Sequence, residues 1–390
     1  MTSTAVAERE VMLCIGDTTY LDYGSIKVKR EGYGPTGKGG NGLILHSALA
    51  VDAELGQPMG LLWQKLWNRD LKAKPPKDET PIQKKQRQAI ARKVARQRPF
   101  TEKESYRWVE ALTKIDTKVS SSTRVIHIFD REGDIAEVFD CVRQLPHTGV
   151  LVRAAHDRNL DEDSERLWQK LESQPPRFEQ KIDLPETATR QARKTKLAVR
   201  FCLVQLRTPY RFDNRDSLKV HAVYATEIDC PEGEKPVSWM LLTTEVIADI
   251  QTAATILRWY SYRWHIEEYH KVFKSGCQVE RYRLAAEGMK TLLGFLSVIA
   301  VELLQVTYLH RTQPAAPAIE ILNPIQLQVL KAKSPKLPKL LTVSWAVETV
   351  AYLGGYLEHR RKTAIGIQVL WRGWLKLHDL CEGWQLARET

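Results

Sequence analysis

The sequence predicts an α/β protein whose core is a mixed β-sheet with flanking helices. Two observations lead to this prediction. Apolar runs at residues 11–17, 21–28, 43–53 and 59–67 follow one another without a helical pattern between them, which is typical of an antiparallel start to a sheet. Between residues 102 and 155, apolar runs then alternate with helical patterns, which predicts strands joined by helices.

Four segments are expected along the chain. Residues 1–160 form the first part of the core, with strands at 123–130 and 150–155 and helices at 102–119 and 135–143. Residues 161–246 form a β-rich insertion with strands at 178–184, 197–207, 218–228 and 239–243. Residues 247–312 return to helical periodicity, at 248–283 and 288–310, and complete the core. Residues 313–390 form a helical C-terminal region rich in Trp and Leu.

Composition excludes a disordered acidic chain and a collagen-like one. The 390 residues include 58 Lys or Arg and 47 Asp or Glu, for a formal net charge of +11. A cationic surface attracts polyanions, so an acidic macromolecule is the expected partner, and a merely basic enzyme is the alternative. The six cysteines form no Cys-x-x-Cys pair. This spacing and the absence of a signal peptide predict a cytoplasmic protein without structural zinc.

Membrane and nucleotide binding are not expected. The apolar run at residues 291–306 is interrupted by Ser297, Glu302 and Gln305, so we interpret it as a buried helix. The motif Gly32-x4-Gly37-Lys38 resembles a phosphate-binding loop, but Gly39 stands where a Ser or Thr is needed. The basic segment at residues 84–98 is either a solvated helix, a localisation-like patch or a phosphate contact, and we favour the phosphate contact.

Polar residues around position 267 form the most informative pattern. On one continuous helix, an arc of about 100° would contain Tyr260, Arg263, Glu267, His270, Lys271 and Lys274. A carboxylate flanked by cationic side chains suits a divalent ion bound beside a phosphate backbone. The alternative is a solvated helix face with ion pairs. The dense aromatic residues at the border of the arc argue against this alternative.

Two other carboxylates end apolar strands. Asp17 ends the run 11–17 and Asp130 ends the run 123–130, which places both at a rim of the predicted sheet. Singly, each is typical of a residue that begins a turn. Together with Glu267 they would form a three-carboxylate site that selects Mg²⁺ or Mn²⁺. Two such ions support in-line phosphoryl transfer without a side-chain nucleophile.

At this point four motifs in order resemble the IS-four family of bacterial insertion-sequence transposases, especially its Tn-five-like members. They are Tyr260-x2-Arg263-x3-Glu267-x6-Lys274, Asp-Thr-Thr at 17–19, Asp-Arg-Glu at 130–132 and Trp-x-Leu-Leu-Thr at 239–243. The similarity extends from about residue 11 to about residue 310. A weaker likeness continues through residues 364–373.

The resemblance implies an RNase H-like core in which Asp17, Asp130 and Glu267 form a DDE triad that binds two Mg²⁺ or Mn²⁺ ions. The implied activity is metal-dependent cleavage and strand transfer of transposon DNA, with a hairpin intermediate. Trp239 would stack on a flipped base, although on its own it is more typical of a core residue. Carried over by motif, Tyr260, Arg263 and Lys274 would hold the DNA strand near the cleaved phosphate. Further candidate DNA contacts, not assigned by the motif, are Arg153 on the strand after Asp130, Arg131, and Lys271 and His270 of the polar arc.

The implied partners are transposon and target DNA and a second copy of the chain, which the helical C-terminal region would bind. Family members usually carry an N-terminal helical domain that binds the transposon end, and we expect this domain to be absent because Asp17 lies so early. One alternative is therefore a shortened, non-catalytic subunit that dimerises with a full-length transposase and regulates it. Another is a nuclease of the same fold that cuts DNA without joining it.

Overall fold

The structure, a computed structural model, describes residues 2–24, 32–37, 40–70, 76, 78–161, 165–184, 192–208, 217–357 and 365–389. Lys38 and Gly39, and parts of the segments predicted at 21–28 and 72–98, lie outside these residues. Within them the strands are β1 (Val11–Asp22), β2 (Gly34–Pro35), β3 (Asn41–Asp52), β4 (Pro58–Trp67), β5 (Arg124–Phe129), β6 (Thr148–Arg153), β7 (Phe178–Leu184), β8 (Arg193–Leu206), β9 (Leu218–Ile228) and β10 (Ser238–Thr243). The helices are α1 (Thr2–Ala7), α2 (Pro81–Gln97), α3 (Tyr106–Asp116), α4 (Ala136–Arg143), α5 (Leu167–Glu172), α6 (Ile250–Ser261), α7 (Trp264–Lys271), α8 (Ala286–Thr312), α9 (Pro324–Lys333), α10 (Val343–Leu353) and α11 (Ile367–Glu389).

The described strands form a mixed sheet in the order β2-β3-β1-β5-β6-β10-β9-β8-β7, and β4 pairs with β3 outside this path. β1, β5 and β6 are parallel neighbours, whereas β6, β10, β9, β8 and β7 pair antiparallel. The predicted α/β class with a mixed sheet is therefore confirmed. The strands predicted between residues 178 and 243 continue this sheet outward from β6.

The central parallel strands are held by apolar packing. β5 and β6 are almost continuously buried, as expected for parallel strands covered on both faces. α3 contributes Trp108, whose ring centroid lies 4.7 Å from that of Phe129 on β5, and α4 contributes Phe139 to the same cluster. This packing fixes the end of β5, after which Asp130 follows.

The chain divides into two compact units. Unit 1 consists of residues 1–17, 48–56 and 72–263, and unit 2 consists of residues 18–47, 57–71 and 264–390. In unit 2, α11 packs on α10, on α9 and on the π-helical turn Val272–Gly276. The bounds of the four predicted segments stay a prediction.

Helix α8 is the one helix of the described residues that is long and apolar enough to cross a membrane. Half of its most apolar window is buried inside the protein, as in a core helix. Leu296 and Leu303 are buried, whereas Phe295 and Val298 are exposed. The predicted buried helix is thus present, with one face uncovered.

The expectation that residues 260–274 lie on one continuous helix is wrong. α6 ends at Ser261, Tyr262 and Arg263 form a turn, and α7 begins at Trp264. Contacts within unit 1 favour this break, because the Trp259 Nε1–H donates to the Ala53 carbonyl at 3.1 Å. The Tyr262 ring lies so close to Gly56 that a Cβ there would come within 2.5 Å of it. These tertiary contacts override the helical periodicity, and the predicted arc of six polar residues is interrupted.

Candidate functional site

Asp17 and Asp130 lie at the same level on neighbouring strands of unit 1. The parallel pairing of β1 with β5 places Ile15 opposite Ile128. Each aspartate follows its paired isoleucine by two residues, so continuing the register sets Asp17 opposite Asp130, on the same face of the sheet. β1 continues to Asp22, so the expectation that Asp17 ends its strand is wrong: Asp17 lies within β1, whereas Asp130 directly follows β5. The register nevertheless places the two aspartates in one row across the neighbouring strands.

Arg153 continues this row on the next strand. β5 pairs with β6 so that Phe129 lies opposite Val152, and one further step sets Asp130 opposite Arg153. The Arg153 guanidinium donates through Nη2 to the Ser238 carbonyl at 2.8 Å, which ties it to the antiparallel neighbour β10. The register thus sets Arg153 in the same row as Asp130, and the hydrogen bond to the Ser238 carbonyl holds its guanidinium.

The turn after Asp130 is fixed by its own carboxylate. The Glu132 N–H donates to Asp130 Oδ1 at 2.8 Å and begins the 3-10 turn Arg131–Gly133. Behind it, Asp134 is buried, accepts from the Ala155 N–H at 2.7 Å and pairs with Arg158 at 2.5 Å. Sequence analysis missed this buried pair, and the only signal was a further acid four residues after Asp130.

Tyr260 forms an aromatic wall with Trp239. The two rings meet edge to face, with centroids 5.3 Å apart. Tyr260 is only 4% exposed, and this burial raises the pKa of its phenol. The nearby guanidinium groups of Arg263 and Arg153 lower the same pKa, and Asp130 raises it. Tyr260 therefore stays neutral and lies among two arginines and the second aspartate.

Three arginines converge on this part of unit 1. Burial lowers the pKa of Arg153, and repulsion from Arg131 and Arg263 lowers it further. Repulsion of this kind requires Arg131 and Arg263 each to lie near Arg153. We call Arg131, Arg153 and Arg263 the arginine cluster. Concentrated positive charge beside a neutral aromatic wall is suited to bind the phosphate groups of a nucleic-acid strand.

Four predicted residues belong to unit 2. Glu267 is half-buried in the first turn of α7, and Lys271 is exposed at its last residue. Lys274, in the π-helical turn, donates through Nζ to the Tyr20 carbonyl at 2.8 Å and lies 3.2 Å from Glu280. This Lys274 ammonium is therefore already oriented by unit 2 itself.

His270 differs from the expectation. It is 7% exposed, and burial, together with the charge of Lys274, lowers the pKa of its imidazole to about 3. A buried, neutral imidazole offers no charge to a phosphate group. The sequence pattern placed His270 on the polar arc, because sequence alone does not distinguish a surface histidine from a buried one at this spacing.

The described residues contain no group of three or more His, Cys, Asp or Glu side chains close enough to hold a metal ion. Asp17 and Asp130 still supply the hard oxygen donors that Mg²⁺ and Mn²⁺ prefer. One Asp130 oxygen caps the following turn, so the pair fits a divalent cation as part of a ligand set that a further carboxylate would complete.

The fold and this region of unit 1 define an α/β protein with an acidic pair, an arginine cluster and an aromatic wall at one rim of its sheet. No protein-family model matches the chain.

Proposed function

We propose that this protein is a metal-dependent DNA strand transferase of the DDE type, similar to the Tn-five-like transposases of the IS-four family. The observation that carries the proposal is the row of Asp17, Asp130 and Arg153 on three adjacent parallel strands. The mixed sheet with flanking helices is compatible with an RNase H-like core, into which the strands between residues 178 and 243 would be inserted.

Asp17 and Asp130 would hold the divalent ions, and Glu267 is proposed as the third carboxylate. Glu267 follows Arg263 of the arginine cluster by four residues in the chain. The resemblance assigns this role to it, through the spacing from Tyr260 to Lys274. When bound, two Mg²⁺ or Mn²⁺ ions would supply charge stabilisation for an in-line displacement at phosphorus.

The protein's own residues would position the DNA. The arginine cluster would bind phosphate oxygens on both sides of the reacting phosphodiester, since phosphoryl transfer depends mainly on positioning and electrostatics. A water molecule, and later a DNA 3′-hydroxyl, would attack phosphorus while the bond to the leaving oxygen breaks. Lys271 and Lys274 are proposed as further phosphate contacts, and His270 is omitted because it is buried.

Trp239 is proposed to stack on a base flipped out of the duplex end. It is half-buried and braced by Tyr260, so one side of the indole is fixed without being fully enclosed. A duplex end cannot fold back into a hairpin without unstacking, and an aromatic face compensates for part of that cost.

The proposed location of the protein is the cytoplasm, at the nucleoid. A homodimer is proposed because two DNA ends must be joined in one complex. Most of the apolar residues of the C-terminal region, which suggested a dimerisation surface, pack in the core of unit 2 instead. Trp345, Val350, Trp371, Trp374 and Leu377 are all buried there. A subunit contact through this region would therefore use its exposed side chains, among them Leu337, Leu340 and Leu386.

The experiment is strand transfer on short DNA with a pre-nicked candidate transposon end, which bypasses end recognition. Wild type is compared with Glu267→Gln and with Glu179→Gln, a matched change at an exposed residue of the edge strand β7. We expect Mn²⁺- or Mg²⁺-dependent joining in wild type and Glu179→Gln, and none in Glu267→Gln. A folded wild type that joins nothing and instead pairs with a full-length transposase would favour the regulatory subunit.

A further inference from the structure

Helix α2 is a preformed, fully exposed basic helix. None of its 17 residues is buried against the described part of the chain. It carries six basic residues and no acid, namely Lys84, Lys85, Arg87, Arg92, Lys93 and Arg96. At about 1.5 Å per residue it is about 26 Å long, enough to contact several phosphates of a DNA backbone.

The helix does not depend on tertiary packing to begin. Thr80 and Gln83 form a reciprocal capping box, and Pro81 occupies the first turn. Arg87 donates to both oxygens of Glu79, at 2.6 and 2.9 Å, and so clamps the first turns to the residue before the cap. Isolated helices of this length are marginal in water, so such local contacts matter for its order.

The remaining charges favour one face. On a helix with 100° per residue, Lys85, Arg92, Arg96 and Lys93 lie within an arc of about 100°. The structure records no ion pair between these four residues and any described acid. The exposed apolar side chains are few and aliphatic, namely Ile82, Ile90 and Val94, which is a small apolar face for a membrane-surface helix.

We propose that α2 binds the phosphate backbone of duplex DNA through the face formed by Lys85, Arg92, Lys93 and Arg96. The choice of DNA among polyanions rests on the proposed function, whereas the basic face does not. α2 would thus hold DNA away from the reacting phosphate, without reading its sequence, and contribute a salt-sensitive share of affinity.

The test measures binding of a labelled duplex of about 30 base pairs to the intact chain, in EDTA so that no cleavage occurs, across a range of NaCl concentrations. The variant is Arg92→Gln/Lys93→Gln/Arg96→Gln. Because all three side chains are exposed, the fold should be unaffected. The plot of log affinity against log salt concentration has a negative slope, and each lost phosphate contact makes it shallower by about 0.9. We therefore expect the slope of the triple variant to be shallower by about 2 to 3.

Two matched variants test whether the effect belongs to this face. Lys331→Gln/Lys333→Gln/Lys336→Gln removes the same charge from exposed residues in and after α9, and should leave the slope unchanged. Arg92→Lys/Arg96→Lys keeps the charge and should retain the wild-type slope, since a phosphate backbone accepts either cation. An equal fall in the α9 variant would overturn the proposal.

The result is separable from the proposed function. An unchanged slope in the α2 variant, with strand transfer intact, would overturn the role of α2 alone. A reduced slope in a protein that transfers no strands would keep the role of α2 and reject the transferase. If the α2 variant lost binding to phosphatidylserine vesicles and kept its DNA slope, the partner would be a membrane surface and the proposal would be wrong.

Discussion

Asp17 and Asp130 occupy equivalent positions on two adjacent parallel strands. Ile15 pairs with Ile128, and each aspartate lies two residues after one of these isoleucines. Backbone register alone therefore brings two carboxylates to one rim of the sheet. Arg153 joins them by the register of β5 with β6. The proposed function requires all three residues of this row.

Replacing Arg153 by Gln should weaken DNA binding by about tenfold to hundredfold, the worth of a hydrogen bond to a charged group. Arg153 is held against the Ser238 carbonyl, so its charge is already oriented. The matched control is Arg143→Gln, because Arg143 also donates to a backbone carbonyl, that of Ser217 at 2.8 Å, from α4. Equal losses in both variants, measured by fluorescence anisotropy, would argue against a specific role for Arg153.

Trp239→Ala should separate two steps of the reaction. Nicking needs the carboxylates and the arginine cluster and should continue, whereas hairpin formation should slow by about tenfold to hundredfold through lost base stacking. Trp239→Phe keeps an aromatic face towards Tyr260 and should restore most of the hairpin product. Both products are resolved on a denaturing gel. A parallel loss of nicking and hairpin formation in Trp239→Ala would indicate that Trp239 only supports the fold.

The buried pair of Asp134 and Arg158 should be a main support of the turn after Asp130. Asp134→Ala removes the buried carboxylate that pairs with the half-buried Arg158 and accepts from the Ala155 N–H, so we expect a loss of about 3 kcal/mol in the free energy of unfolding. Glu179→Ala removes an exposed ion pair to Lys196 at 3.3 Å and should cost at most about 1 kcal/mol. Urea denaturation measures both values, and similar losses would contradict this ranking.

Acid should destabilise the protein through buried histidines. Burial lowers the pKa of His127 to about 3, as it does for His270, and both His127 ring nitrogens lack a partner. The unfolded chain therefore binds protons that the folded chain does not, so stability is lost as the pH falls from about 6.5 towards 3. Each histidine contributes a slope of about 1.4 kcal/mol per pH unit.

His127→Leu should reduce that slope by one histidine's share, whereas a change at the exposed His156, to Leu, should leave it as in wild type. Urea denaturation at several pH values gives the slopes. An unchanged acid slope in His127→Leu would show that His127 does not remain neutral in the fold.

The sequence predicted most of the sheet, because buried strands carry continuous or alternating apolar runs that the folded protein must satisfy. The apolar runs before Asp17 and Asp130 predicted both strands, but only Asp130 follows the end of its strand, because β1 continues through Asp17 to Asp22. The break at Tyr262 was not predictable, since it depends on Gly56 and Ala53, which are distant in the chain. The burial of His270 was not predictable either, because it also depends on tertiary packing.

The arginine cluster was partly visible. Arg263 and Arg153 were named from a motif and from a strand end, but their convergence with Arg131 requires the register of three strands and the position of α6. The support from Asp134 and Arg158 was missed, because a buried ion pair between residues 24 positions apart has no local periodicity.

The most direct test of the central claim is Mn²⁺ binding to the intact chain with a pre-nicked duplex, followed by electron paramagnetic resonance. Wild type is compared with Asp130→Asn and with Asp183→Asn, a matched change at an exposed aspartate of β7. We expect wild type and Asp183→Asn to bind alike and Asp130→Asn to bind at least about tenfold more weakly. Equal affinity in all three proteins would contradict a metal site at the rim formed by Asp17 and Asp130.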